Sequence, residues 1–315
     1  MALHPDAKAF IELVGKTPPF SQRTVAESRA ALDASAAFTG HATPVHEVVD
    51  TVVDGPAGPL PIRVYRPAAD ENLPVIAFFH GGGWVLGDIA LADTSCRDIC
   101  VSARAVVVSV EYRLAPEHRF PAAFDDCLAV TKALLDGSAG LGTDVTRVAV
   151  AGDSAGGNLA AAVALALKGA PGLRHQGLVY PATRVKKGAV EDYPETDSFR
   201  KYAEGCFHSA ANSQWFLNHY APNADPSDIR LAPLAAADLE GVAPATFILA
   251  ECDPVYDDGS RYAKRLEAAG VPVTVYDFPG QIHPFFYYAS VIPQATRARH
   301  MLGEAIRASF ATGGL

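Results

Sequence analysis

The chain reads as an α/β protein with a mostly parallel sheet flanked by helices, and three observations carry that expectation. Short, mostly apolar, valine-rich runs recur at 74–79, 105–111, 147–152, 175–180, 245–251 and 273–277. Strands that are apolar on both faces belong to sheets covered by helices on both sides. Stretches with helical character alternate with them at 92–102, 121–136, 155–168, 258–269 and 293–311. Hydrophobic residues make up 49% of the 315 residues and charged residues only 19%, enough for one large buried core.

Residues 1–43 precede this rhythm and read as helical, with Thr24 placed as an N-cap and Glu27 three residues on, the pattern of a capping box. Beyond Pro44, segments 45–53 and 61–65 flank the turn Asp54-Gly-Pro-Ala-Gly-Pro59 and predict an antiparallel opening pair. The alternation then runs to residue 183. Within it, Ala160–Leu167 is apolar nearly all round, which predicts a helix buried against the sheet. Residues 184–232 break the rhythm. They are polar, irregular and aromatic (Tyr193, Phe199, Tyr202, Phe207, Trp215, Phe216, Tyr220), and longer than a crossover needs. They are expected to form an inserted cap, with 1–43 as its other half, over a main domain made of 44–183 and 233–315.

Two glycine-rich motifs end strands. Gly152-Asp-Ser-Ala-Gly156 lies where a valine-rich strand gives way to an alanine-rich helix, the setting of a nucleophile elbow. Glycines at both ends let strand and helix backbones approach closely. That placement makes Ser154 the candidate nucleophile, at a helix start whose partial positive charge favours developing negative charge. His80-Gly-Gly-Gly83 follows another strand, and its backbone N–H groups, with that of Ala155, form the candidate oxyanion site.

A serine hydroxyl needs a base and a group to orient that base. His175, His208, His219, His283 and His300 all follow Ser154. We assign His283, which lies in the loop beyond the carboxyl end of strand 273–277, where sites of open parallel sheets gather. His175 starts a strand, His208 and His219 belong to the expected cap, and His300 sits among arginines on a helix. For the acid we assign Asp253, beyond strand 245–251. Asp257 and Asp258 read instead as first-turn carboxylates of the next helix, and Glu251 as the last strand position. Trp84, Trp215, Phe216, Tyr220, Phe285 and Phe286 are candidate walls of an apolar acyl or alcohol pocket.

A net charge of −9 excludes nucleic acid as the expected partner. Neither phosphate-loop nor dinucleotide fingerprints are present. The first residues lack the basic and apolar regions of a secretory signal, and no run approaches the length of a membrane span. The five cysteines (96, 100, 127, 206, 252) have neither metal-ligand nor disulfide-framework spacing, so a cytoplasmic protein without a metal is expected.

Taken together, His80-Gly-Gly-Gly-Trp84, Tyr112-Arg-Leu-Ala-Pro-Glu-His118 with Phe120-Pro-Ala-Ala123, Gly152-Asp-Ser-Ala-Gly-Gly-Asn158, Asp253-Pro-Val-Tyr-Asp257 and Pro279-Gly-Gln-Ile-His283 resemble the bacterial hormone-sensitive-lipase-like (family IV) esterases of the α/β-hydrolase superfamily. The resemblance implies an eight-stranded sheet, a helical cap, and cofactor-free hydrolysis of short-to-medium acyl esters. It carries Ser154, Asp253 and His283 into the catalytic triad and Gly82, Gly83 and Ala155 into the oxyanion hole. It also implies a homodimer through the last strand, about 273–277. Amidase chemistry is the main alternative. A non-catalytic receptor on the same fold would lack the histidine that this chain has at 283. Two departures stand out: Pro284 follows the histidine where glycine is usual, and Val255-Tyr256 replace a common Leu-Arg.

Overall fold

A computed structural model describes residues 2–15, 17–186, 189–223 and 225–311. Eight strands form one sheet: β1 (Glu47–Gly55), β2 (Gly58–Arg66), β3 (Val75–Phe79), β4 (Val106–Val110), β5 (Val148–Asp153), β6 (Leu173–Val179), β7 (Ala245–Cys252) and β8 (Val273–Ile282). Their spatial order is β1-β2-β4-β3-β5-β6-β7-β8. The β1–β2 and β2–β4 pairs are antiparallel and every other pair is parallel. The chain is thus an α/β-hydrolase fold, and its opening hairpin is the one expected around residues 54–59.

The helices are α1 (Pro5–Val14), α2 (Val25–Ser35), α3 (Ile89–Ala103), α4 (Ala122–Asp136), α5 (Ala155–Ala166), α6 (Ser198–Lys201), α7 (Ala210–Tyr220), α8 (Tyr256–Ala268) and α9 (Gln294–Ala311). Helix α2 starts at its capping box, with Glu27 N–H donating to Thr24 Oγ1 and Thr24 N–H to Glu27 Oε2. Helix α3 begins three residues earlier than its apolar spacing suggests, because Asp88 accepts the Leu91 N–H at 2.7 Å and caps it. Helix α5 is buried along Ala155–Leu165, as its apolar circumference requires.

Strand β8 corrects one boundary. It continues through Phe278–Ile282, which the sequence leaves as loop, because the Gly280 N–H donates to Glu251 Oε2 at 2.8 Å and Ile282 still pairs with Cys252. An irregularity in the β7 register, between Ala250 and Cys252, and a positive φ of 68° at Gly280 accommodate the two unequal paths.

The segments outside the rhythm meet each other. Phe10 packs edge-on to Phe207 at 5.3 Å, Phe20 lies 5.6 Å from Phe216, and the Ser21 N–H donates to Asn212 Oδ1 at 3.0 Å. Among the described residues no helix is long and apolar enough to cross a membrane.

Candidate active site

The centre of the site is the turn between β5 and α5. A Cβ on Gly156 would stand 1.9 Å from the Phe79 carbonyl oxygen, and one on Gly152 2.5 Å from the same atom. That crowding leaves Ser154 at φ 56°, ψ −116°, a strained conformation for a residue with a side chain. The strain lifts its hydroxyl above the sheet.

Three side chains from three strand ends converge here. Ser154 Oγ is 2.8 Å from His283 Nε2, and His283 Nδ1 is 2.7 Å from Asp253 Oδ2. The other Asp253 oxygen accepts the Val255 N–H at 2.9 Å, which orients the buried carboxylate. Because a carboxylate can only accept, Nδ1 carries the proton and Nε2 offers its lone pair to the serine hydroxyl.

Beside the serine, the loop after β3 turns on glycines that need positive φ, 117° at Gly82 and 63° at Gly83. The turn is closed by the Val85 and Leu86 N–H groups, which both donate to the Gly82 carbonyl, and by Tyr112 Oη, which donates to the His80 carbonyl at 2.7 Å. The amides of Gly82 and Gly83 have no acceptor among the described residues. Ala155 opens α5, where no intrahelical acceptor exists for its N–H. These donors are therefore available to a substrate oxygen.

Asp153 is buried beneath Ser154, and nothing in the sequence marks a role for it. Its Oδ1 accepts the Gly81 N–H at 2.9 Å and the Tyr287 hydroxyl at 2.5 Å. Burial pushes its carboxyl up to about 7, against the opposing pull of Tyr287, His283 and Gly81. The turn carrying Tyr287 is anchored from below by the buried Arg299, which donates to the Phe286 and Tyr287 carbonyls and pairs with Asp98.

A cleft of about 960 Å³, counting its open mouth, lies over these groups. Of the six candidate wall residues, Trp84 and Phe216 line it, whereas Trp215, Tyr220, Phe285 and Phe286 do not. Tyr220 lies behind Trp84, stacked on it at 4.7 Å. Trp215, one position before Phe216, leaves the lining and packs on His219 at 4.3 Å, since neighbours on a helix diverge in direction. Phe285 is fully buried against Tyr180 and Phe278, and Phe286 is fully buried under the site. Pro284 fills the lining in their place.

Lining residues that sequence reasoning missed include Phe20 and Leu32 from the N-terminal segment and Leu86 and Leu91 near α3. Nothing local marks them, because they reach the cleft only through long-range packing. Arg184 and Lys186 also line it, paired with Asp258. Asp258 lies in the first turn of α8, as its position in the sequence suggests, but it is fully buried. Helix α8 starts two residues earlier than its pattern suggests, which turns Asp258 into the interior between those two cations. Burial pushes Asp258 up and Lys186 down, each toward its neutral form, while their mutual attraction opposes both shifts.

Among the other histidines, His208 lines the cleft, its ring 4.8 Å from that of His283 and its Nε2 2.8 Å from Ser213 Oγ. His219 Nδ1 lies 2.8 Å from the Trp215 carbonyl, His175 is buried against Thr246, and His300 is exposed. Among the described residues no group of three histidine, cysteine or acidic side chains could hold a metal.

Residues 76–287 match a protein family described by its alpha/beta hydrolase fold. Esterase LipI of Mycobacterium tuberculosis is 40% identical over 272 residues, covering 84% of this chain and 83% of its own. Ethyl acetate hydrolase of Pseudomonas putida is 36% identical over 326 residues, covering 98% and 99%. Among solved structures, the ester hydrolase EH1AB1 from the Lake Arreo metagenome, complexed with a bipyridine phosphonate derivative, superposes with a TM-score of 0.91 at 37% identity, over 98% of this chain and 100% of that one.

Proposed function

Since this chain belongs to the α/β-hydrolase family, in its bacterial hormone-sensitive-lipase-like branch, and is a carboxylic ester hydrolase, we propose that it cleaves short-to-medium acyl esters by serine acyl transfer. Ser154 attacks the ester carbonyl while His283 takes its proton, and Asp253 holds the imidazole in its tautomer and stabilises the imidazolium. The amides of Gly82, Gly83 and Ala155 receive the oxyanion. His283 then returns the proton to the departing alcohol, and water activated by the same imidazole hydrolyses the acyl-enzyme.

The reading rests on the continuous contact from Ser154 Oγ through His283 to Asp253, at 2.8 and 2.7 Å, beside unpaired amides. Segments 1–43 and 184–232 act together as a cap, and because a covered cleft limits what it encloses, the preferred acyl groups have roughly four to eight carbons. The protein works in the cytoplasm, a reading supported by five buried cysteines that are all free. It pairs with a second copy along β8, whose outer edge has no neighbouring strand among the described residues. Sedimentation that finds only monomer at micromolar concentration counts against the pairing.

Replacing the nucleophile tests the mechanism. Ser154→Ala lowers kcat on p-nitrophenyl butyrate by on the order of 10⁶-fold. It also abolishes labelling by a fluorophosphonate, which mass spectrometry locates on Ser154 in the wild type. Near-wild-type turnover by the purified variant refutes the assignment.

A further inference from the structure

We propose that Tyr287 is a positioning residue whose hydroxyl, acting with Asp153, sets the oxyanion loop in register with the His283 base. The inference rests on the acyl-transfer reading above and adds a part to it.

Three polar groups close a triangle. The Gly81 N–H is shared between Asp153 Oδ1 and Tyr287 Oη, 2.9 Å from each, and the Tyr287 hydroxyl donates to the same Asp153 oxygen at 2.5 Å. Each corner belongs to a different part of the site. Gly81 immediately precedes the Gly82 and Gly83 amides, Asp153 immediately precedes the nucleophile, and Tyr287 lies in the short turn after His283. One hydroxyl therefore links the oxyanion donors, the nucleophile elbow and the base.

The link is tight. A Cβ on Gly81 would fall 2.2 Å from Asp153 Oδ2, so the loop lies in contact with the carboxylate and must follow it. The tyrosine is held in turn, because Arg299 grips the Phe286 and Tyr287 carbonyls from α9. It is also costly. Asp153 Oδ2 finds no partner among the described residues, so a fully buried carboxyl has only one of its two oxygens satisfied. Leaving such an atom unpaired in the interior is unfavourable. The arrangement makes sense if the remaining oxygen must accept from both the loop and the tyrosine.

The geometry has an electrostatic consequence. The titratable neighbours of Asp153 are His283 at the end of β8, Tyr287 and Tyr288 in the turn that follows, Tyr112, Tyr180, and Cys96 on α3. The Tyr287 hydroxyl and His283 favour the carboxylate, while burial favours the acid at about 7. Removing the hydroxyl deletes a donor to the anion, so Asp153 keeps its proton to higher pH. A protonated Asp153 accepts the Gly81 N–H less strongly and loosens the loop.

The test compares wild type, Tyr287→Phe and Asp153→Asn on p-nitrophenyl butyrate, with butylboronic acid as a mimic of the tetrahedral intermediate. Tyr287→Phe keeps the ring and loses the hydroxyl. Its kcat is expected to fall about 10- to 100-fold with KM within twofold, since oxyanion contacts act in the transition state. Affinity for the boronic acid should fall by a similar factor. The acid limb of kcat/KM should move to higher pH in Tyr287→Phe and lose one ionisation in Asp153→Asn. A lower Tm with unchanged kcat, boronic acid affinity and pH limb overturns the proposal and leaves Tyr287 a packing residue. If Tyr287→Phe does not fold, the isosteric Asp153→Asn decides by the same kcat and pH criteria. Failure here with Ser154→Ala inactive refutes the positioning role alone. An active Ser154→Ala refutes the acyl-transfer reading instead.

Discussion

Adding one methyl group at Gly156 should damage both stability and turnover, and the size of the effect follows from the elbow's geometry. An alanine Cβ there would stand 1.9 Å from the Phe79 carbonyl oxygen, 2.5 Å from its carbon and 2.6 Å from the His80 carbonyl oxygen. Comfortable contact needs about 3.5 Å, so helix α5 and strand β3 must separate by about 1.5 Å at this point. None of the obstructing atoms is the end of a flexible side chain, so no rotamer change relieves the clash. Overpacking of this kind costs about 1–3 kcal/mol, and in a chain of this size each kcal/mol lowers Tm by roughly 2 °C. A fall of about 2–6 °C is expected. The chemical step suffers more. Gly156 is two residues from Ser154, and displacing α5 lengthens the 2.8 Å contact to His283. A misplacement of about 1 Å costs on the order of 100-fold in rate. Initial rates on p-nitrophenyl butyrate and thermal melts of purified Gly156→Ala measure both. A variant with wild-type kcat and Tm would show that the elbow has slack that the close contacts deny, and would refute the reasoning.

Two further outcomes follow from the interior. Burial holds His175 down to about 4, whereas the unfolded chain takes up that proton near 6.5. Between those values the unfolded state binds more protons at this site, so the contribution of His175 to stability is flat above about pH 6.5 and falls by on the order of 3 kcal/mol as pH drops to 4. His175→Gln should lose less stability than wild type between pH 7.5 and 4.5 in urea melts, and equal losses would refute this assignment. Asp258 accepts from both Arg184 and Lys186 while fully buried. Asp258→Ala leaves the buried Lys186 without its carboxylate, while Arg184 keeps its pair with Asp197, and should cost about 3–5 kcal/mol by the same melts, whereas a cost below 1 kcal/mol would mean the cluster relaxes to water.

Much of this protein was legible along the chain because the controlling physics is local. Valine runs bounded by glycine turns fix strands, a threonine and glutamate three apart fix the start of α2, and a Gly-x-Ser-x-Gly pattern at a strand end fixes an elbow whose glycines answer a steric demand. Strand order within the family's topology then places residues 154, 253 and 283 at the carboxyl ends of β5, β7 and β8, on one edge of the sheet. Tertiary packing decided the rest. Whether Phe216 or Trp215 faces the cleft depends on the rotation of α7, and Phe285 and Phe286 turn inward because Arg299 holds their turn from another helix. The start of α8 sends Asp258 inward rather than to solvent, and the partners of Asp153 lie 72 and 134 residues away along the chain. Burial and long-range hydrogen bonds belong to the folded surface that closes around a residue, and no window of neighbouring sequence contains that surface.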